Sequence, residues 1–62
     1  MPLQRRKFIK RLEQAGWRLL RNGANHDVYT DGKHMEPIPR HNEIDEMLAR
    51  HILKKHGLWG DT

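Results

Sequence analysis

The chain has 62 residues, with 12 Lys or Arg against 8 Asp or Glu, five His, no Cys and a net charge of +4. This length allows one small domain, and the lack of Cys excludes disulfides and thiolate-bound zinc. The basic charge favours polyanionic partners, above all nucleic acid, while the lack of a long apolar run or of a signal peptide indicates a cytoplasmic protein with no membrane partner.

Residues 4–15 (QRRKFIKRLEQA) are predicted to form the first helix, because apolar residues recur there at helical spacing. These residues are Phe8, Ile9, Leu12 and Ala15. Gly16 stands where a C-terminal cap glycine belongs. The basic residues between the apolar positions form a solvated face in the simplest interpretation, and a surface for phosphate contacts in the functional one.

Three strands are predicted to follow, over residues 17–21, 26–30 and 33–38. The first two are separated by NGAN, a turn by composition in which Gly23 is able to take a positive φ. Asp31-Gly32 between the last two is the strongest hairpin signal in the chain. Pro37 and Pro39 lack amide donors, so we expect them near the end of the third strand or on an exposed edge.

The last predicted element is a helix that is capped by Asn42 and ends at Gly57, with acidic residues in its first turn and basic residues toward its end. Its apolar stripe is predicted to pack on the sheet and consists of Ile44, Met47, Leu48 and Ile52. The order is therefore α-β-β-β-α. It predicts an α+β fold with a three-stranded antiparallel sheet and two helices on one face, in a single domain over residues 1–62.

Two histidines of the last helix are predicted to have structural roles. His51 falls within the apolar stripe and is expected to be a packing or helix-edge residue, and His56 lies in the last turn. Five residues of separation put these two rings on different sides of a helix, so they cannot chelate one metal. No acidic residue completes an obvious ligand set around His34 and His41, so a zinc site is not favoured.

His26 differs because it follows a glycine-containing turn and begins a strand, so its ring can be presented from a rigid element. Cationic side chains of the adjacent strands, Arg18, Arg21 and Lys33, attract phosphate and are expected nearby. An imidazole has an ordinary pKa close to neutrality and therefore suits proton transfer. A strand-edge histidine that is inert stays the alternative at this point.

Strand alternation leaves the direction of the His26 ring open. His26 shares one face with Val28 and Thr30, whereas Asp27 and Tyr29 share the other, and either set can face the helices. The distinction matters, because a buried imidazole would be poorly suited to chemistry.

The chain resembles the HicA family of toxins, the small ribonuclease halves of bacterial toxin–antitoxin pairs. Four blocks carry the resemblance over nearly the whole chain: LEQAGW, GANHDVY, IPRHNEI and ILKKHGL. The resemblance implies a fold like that of a double-stranded-RNA-binding domain, and mRNA cleavage by one histidine at the start of the second strand. Only His26 matches that position. Asn25 and Gly23 stand near the family's usual serine and glycine at a slightly different spacing, which leaves their roles open.

The resemblance also implies a HicB-type antitoxin that forms a complex with the toxin and occludes His26. Operator DNA would be bound only indirectly, through the antitoxin. No cofactor and no metal are expected. Two alternatives from other functional classes stay open: a noncatalytic basic RNA-binding module, and a regulatory protein whose apolar surface binds another chain.

The predicted mechanism is metal-independent: His26 removes the proton of a ribose 2′-hydroxyl or protonates the leaving 5′-oxygen. Candidates for stabilising the charge on the phosphorane are Arg21, Lys33 and Arg40. Candidates for a second acid or base are His41 and Tyr29, and the favoured alternative for His41 is that it orients the start of the last helix. RNA binding is assigned to Arg5, Arg6, Lys10, Arg21, Lys33 and Arg40.

Overall fold

The computed structural model describes residues 2–59. The elements are β1 (Leu3–Gln4), α1 (Arg5–Gln14), β2 (Arg18–Asn22), β3 (His26–Thr30), β4 (Met35–Pro39), β5 (Glu43–Ile44) and α2 (Glu46–Lys55). An antiparallel sheet is formed by β2, β3 and β4 in that order, so β3 is its central strand. Within this part of the chain, neither helix has the length and apolar character needed to cross a membrane.

The predicted α+β fold is confirmed, and a short strand that was not predicted precedes each helix. β1 pairs antiparallel with β5, Leu3 opposite Ile44, in a separate two-stranded sheet that the sequence did not predict. The backbone N–H of Arg5 also donates to the carbonyl oxygen of Asn42 at 2.8 Å. These bonds join the entry of α1 to the segment before α2.

The first helix buries Phe8, Ile9 and Leu12, as its apolar spacing predicts. Ala15 is exposed instead, because α1 ends at Gln14 and Ala15 is already the C-terminal cap residue. The predicted role of Gly16 is confirmed: its φ of 91° is in the left-handed region that favours glycine.

The central sheet has one covered and one uncovered face. Asp27 and Tyr29 of β3, with their β4 partners Ile38 and Glu36, are buried. The apolar members of this set share one core with residues of both helices, so α1 and α2 pack on the same face. The side chains of the opposite side form what we call the open face: Arg18, Arg21, His26, Val28, Met35 and Pro37. The prediction that two helices cover one face is confirmed.

The edge position predicted for the prolines is also confirmed. Pro37 and Pro39 lie in β4, which within the described part of the chain pairs with β3 alone and therefore forms an edge of the sheet. A missing amide donor is tolerated on an edge strand, where one side of the backbone has no partner strand.

Two expectations about the last helix were wrong. Asp45, not Asn42, caps α2 by accepting a hydrogen bond from the backbone N–H of Leu48 at 3.2 Å. The side chain of Met47 is 70% exposed, because the buried stripe of α2 is formed by Ala49, Ile52 and Leu53. At 3.6 residues per turn, Met47 falls on the opposite side of the helix from the centre of that stripe.

Candidate active site at the start of the central strand

His26 is the first residue of β3, and its side chain is exposed on the open face. It lies opposite Pro39 of β4. The next residue, Asp27, is buried on the helix side, which decides the direction that strand alternation had left open. The imidazole is therefore accessible to a ligand while its backbone is held in the central strand of the sheet.

The turn before His26 depends on a close backbone approach at Gly23. The backbone N–H of Gly23 donates to the carbonyl oxygen of His26 at 2.7 Å. A Cβ atom on residue 23 would lie 2.8 Å from that oxygen, so any other residue would force the turn to move. The turn does not use the ability of glycine to take a positive φ, since Gly23 is not among the glycines of residues 2–59 with positive φ. Glycine is required here for space.

Asp27 forms a charged cluster directly behind His26. Its carboxylate accepts hydrogen bonds from Asn22 Nδ2 at 2.7 Å and from Arg5 Nη2 at 2.8 Å. Arg40 Nε lies 3.3 Å from Oδ1 of the same carboxylate. The hydrogen bond from Asn22, together with the charges of Arg40 and Arg5, lowers the pKa of Asp27 in spite of its burial. The carboxylate is therefore held in its ionised form.

Sequence reasoning did not identify Asp27, although the sequence contained a signal. Aspartate is depleted in strands, and a strand aspartate on the covered face needs partners for its charge. The local pattern HDVYT cannot reveal those partners, because Arg5 and Arg40 come from positions 22 and 13 residues away. Only the tertiary structure brings them to the start of β3.

A depression lies at the His26 end of the sheet, with a volume of about 380 Å³. It is lined by Ala24, Asn25, Arg40 and His41. These residues adjoin the His26–Pro39 pair on both strands. Arg40 also donates through Nη2 to the carbonyl oxygen of Gly23. Two predicted residues, Arg40 and His41, are therefore brought to the end of the sheet that carries His26.

Arg21 is the second predicted cation on the side of His26. It pairs with Val28 of β3, so it lies one strand across and two residues along from His26 on the open face. Diagonal neighbours of this kind are about 7–8 Å apart, within reach of a long side chain. Arg18 pairs with Thr30 and extends the cationic surface along β2.

The three candidates of the first helix have a different placement. Arg5 is engaged internally, because its Nη2 bonds to Asp27 and its Nε donates to the carbonyl oxygen of Pro39 at 2.7 Å. Arg6 and Lys10 are exposed and line, with neighbouring residues of α1, a groove of about 440 Å³. They belong to the helix layer and therefore lie on the opposite side of the molecule from the open face.

Two candidates lie too far from His26 for the chemical roles considered. Lys33 is exposed in the turn after β3, beyond the far end of a strand whose four steps span about 14 Å. It therefore cannot stabilise a phosphorane formed at His26. Tyr29 is only 8% exposed and lies on the covered face, so it cannot act as the second acid or base beside His26.

The remaining histidines lie outside this site. His56 has the structural role that was predicted: its Nε2 is 2.6 Å from Glu36 Oε2, and its ring contacts Trp17 at 4.7 Å between centroids. His34 Nδ1 is 3.1 Å from Asp31 Oδ2. His51 is exposed, as expected for the helix-edge alternative and not for the packed one. Within residues 2–59, no three His, Cys, Asp or Glu side chains are grouped so that they could hold a metal ion.

A sequence model of the HicA toxins of bacterial toxin–antitoxin systems matches residues 5–58 of the chain. This chain belongs to the HicA toxin family. No curated protein and no solved structure gives a significant match. The family match covers both helices and the whole three-stranded sheet, and the α+β fold agrees with the architecture of HicA toxins, which is like that of double-stranded-RNA-binding domains.

Membership of the HicA family establishes the chain as a toxin and implies an antitoxin partner. Toxins of this family are ribonucleases. The match spans the GANHDVY block that contains His26 and the segment that contains Arg40.

Proposed function

We propose that this HicA-family toxin is a metal-independent endoribonuclease that cleaves mRNA in the cytoplasm, with His26 as its catalytic histidine, and so inhibits translation and growth. The observation that carries the proposal is the exposed imidazole of His26 on the open face, at the end of the sheet where Arg40 lies. An accessible imidazole beside cations is suited to proton transfer on a phosphodiester near neutral pH.

In the proposed reaction, His26 removes the proton of a ribose 2′-hydroxyl, and the resulting oxygen attacks the adjacent phosphorus. The bond between phosphorus and the 5′-oxygen breaks, and the leaving oxygen takes a proton from solvent or from His41. The products are a 2′,3′-cyclic phosphate and a 5′-hydroxyl. In the other assignment, protonated His26 gives its proton to the leaving 5′-oxygen and solvent receives that of the 2′-hydroxyl.

Arg21 and Arg40 are the cations proposed to stabilise the negative charge that develops on the phosphorane. Arg21 lies on the open face, and Arg40 lies at the end of that face where His26 is. An RNA strand that crosses the face therefore meets both cations. Arg6 and Lys10 would contact only RNA that extends around to the helix layer, and Lys33 only RNA that reaches the far end of β3. Arg5 would bind phosphate only on leaving its bond to Asp27.

The neutralising partner is proposed to be a HicB-type antitoxin that covers the open face and occludes His26. Operator DNA would be contacted through that antitoxin. The open face suits a protein partner because it combines the cations of β2 with apolar surface, including Met35, whose side chain is 60% exposed. The RNA and the antitoxin would therefore compete for one surface.

The proposal is tested by comparing the chain with its His26→Ala and His51→Ala variants. His51 is also an exposed histidine but lies on α2, so its replacement is the matched control. We expect His26→Ala to reduce the rate of RNA cleavage in excess chelator by at least about 100-fold, since acid–base catalysis contributes about 10²–10⁴-fold. His51→Ala should cleave at the rate of the unchanged chain, and only His26→Ala should abolish growth arrest on expression.

Circular dichroism establishes that both variants are folded. A folded His26→Ala protein that cleaves RNA as fast as His51→Ala would contradict the catalytic role. RNA binding without cleavage by the unchanged chain would instead favour a noncatalytic module, and loss of cleavage in chelator would contradict metal independence.

A further inference from the structure

We infer that Asp27 is a positioning residue of this site: its buried carboxylate holds Arg40 in the orientation in which that guanidinium binds an RNA backbone phosphate beside His26. The inference deepens the proposed function and rests on it. The three residues occupy one end of the sheet, with His26 exposed on the open face and Asp27 buried behind it.

Asp27 joins three separate elements at this end of the molecule. Its carboxylate accepts hydrogen bonds from Asn22 at the end of β2 and from Arg5 at the start of α1, and it forms an ion pair with Arg40 immediately after β4. The residue that receives these bonds is bonded covalently to His26. A shift of the Asp27 carboxylate therefore moves the cation and the backbone of the imidazole together.

The geometry of Arg40 indicates what the carboxylate achieves. Arg40 forms an ion pair with Asp27 through Nε, 3.3 Å from Oδ1, and donates a hydrogen bond to the Gly23 carbonyl through Nη2, so one edge of the planar guanidinium faces the protein. A guanidinium has five N–H donors, which leaves the Nη1 donors free of these two contacts. The side chain is 42% exposed and lines the depression shared with Asn25 and His41.

A guanidinium fixed at one edge and accessible at the other is preorganised for a phosphate. A free surface arginine loses rotamer entropy when it binds, whereas the two internal bonds of Arg40 have already restricted it. The negative charge of Asp27 also matters, because Arg5 and Arg40 both approach this carboxylate. An amide in its place would leave the two cations without an anion between them.

The test compares initial rates of RNA cleavage by Asp27→Asn, Arg40→Ala and the double variant. We expect Asp27→Asn to lower kcat by about 10–100-fold, the scale of a misplaced catalytic group. If Asp27 acts through Arg40, the double variant is no slower than the slower single variant. The inference would be overturned if the fall in kcat of the double variant equalled the product of the falls in the two single variants. An unchanged kcat in Asp27→Asn would overturn it as well.

Glu36→Gln is the matched control for stability. Glu36 and Asp27 are both 8% exposed carboxylates on the covered face, but Glu36 pairs with Lys55 and His56, away from His26. A structural role alone would lower kcat equally in Asp27→Asn and Glu36→Gln when the two are equally destabilised. We expect kcat to fall only in Asp27→Asn.

Two further measurements keep the outcome decisive. Arg40→Lys retains the charge but lacks the planar guanidinium edge that faces both Asp27 and Gly23. It should therefore lower kcat even if Asp27→Asn does not fold, and an unchanged kcat contradicts the inference. By NMR, the signal of the Arg40 Nη2–H that donates to the Gly23 carbonyl should be protected from solvent exchange in the unchanged chain and lose that protection in Asp27→Asn. Unaltered protection overturns the role of Asp27, whereas an unchanged chain that cleaves no RNA overturns the proposed function.

Discussion

The position of His26 depends on two residues near it in the chain, Gly23 before it and Asp27 after it. Gly23 contributes the absence of a side chain, since the His26 carbonyl occupies the space that a Cβ atom would need. Asp27 contributes a negative charge, which is in contact with the side chains of Arg5, Asn22 and Arg40. Among residues 2–59 the imidazole itself has no hydrogen bond or ion pair, so the nearby backbone sets its position.

At the residue scale, we predict that Gly23→Ala destabilises the protein by about 1–3 kcal/mol and also impairs cleavage, because the new methyl group displaces the His26 backbone. Gly32→Ala is the matched control. It forces alanine into a φ of 99°, at a cost of about 1–3 kcal/mol, but in the turn at the far end of β3.

Urea unfolding and cleavage rates measure both effects. Gly23→Ala should lower the cleavage rate of the fully folded protein, and Gly32→Ala should not. Equal rates for the two folded variants would show that the turn does not position His26.

At the element scale, the two helices begin where the small β1–β5 sheet holds them. Glu43 and Ile44, which the apolar pattern assigned to the helix, pair with Gln4 and Leu3 instead. The helix then starts after them, with Asp45 as its cap. Since Asn42 accepts the N–H of Arg5 through its backbone carbonyl, the residue expected to cap α2 ties down the start of α1.

Asp45→Ala is predicted to reduce the free energy of unfolding by about 0.5–2 kcal/mol, the usual cost of losing a side-chain cap. Asn42→Ala retains the backbone carbonyl that accepts from Arg5 and should cost less than Asp45→Ala. Chemical denaturation followed by circular dichroism compares the two variants. A greater loss of unfolding free energy in Asn42→Ala than in Asp45→Ala would instead indicate that Asn42 caps α2, as the sequence suggested.

At the scale of the whole molecule, the layers are joined by carboxylates that favour the ionised state. Asp27 links the sheet to α1, and Glu36 links it to α2 through Lys55 and His56. Burial disfavours ionisation of Glu36, but hydrogen bonds from His56 and Lys55 outweigh it and lower its pKa below the ordinary 4.5. The pKa of Asp31 is also lowered, chiefly by the backbone N–H of His34.

A lowered pKa in the folded state means that the folded protein binds fewer protons than the unfolded chain. The stability contributed by Glu36 is therefore fully present above pH 4.5 and is lost as pH falls through the lower pKa of the folded state. The pKa values of Asp27 and Asp31 are shifted in the same direction as that of Glu36. The fold as a whole should therefore become less stable in acid.

Glu36→Gln is accordingly predicted to lower the free energy of unfolding by about 1–3 kcal/mol at pH 7, with a difference from the unchanged chain that narrows below about pH 4. Urea unfolding at a series of pH values measures this difference. Glu13→Gln, an exposed substitution on α1, should change stability by less than about 0.5 kcal/mol. A difference for Glu36→Gln that stays constant down to pH 3 would contradict the linkage.

Periodicity alone was sufficient for the elements whose signals are local. The structure buries the predicted helical stripe residues Phe8, Ile9 and Leu12. It also gives the central strand the predicted bounds, His26–Thr30. These features follow from side chains three or four residues apart in a helix and two apart in a strand. The sequence by itself thus determined the order of the main elements, and its resemblance to the HicA family singled out His26 as the candidate.

The tertiary structure decided which face of β3 is covered, and with it the exposure of His26. It also assembled Asp27 with Arg5 and Arg40, and it separated Lys33 and Tyr29 from the imidazole. A two-residue alternation is symmetric between the faces of a sheet, so it carries no information about which face the helices cover. That choice, like the partners of a buried charge, depends on contacts between residues distant in the chain.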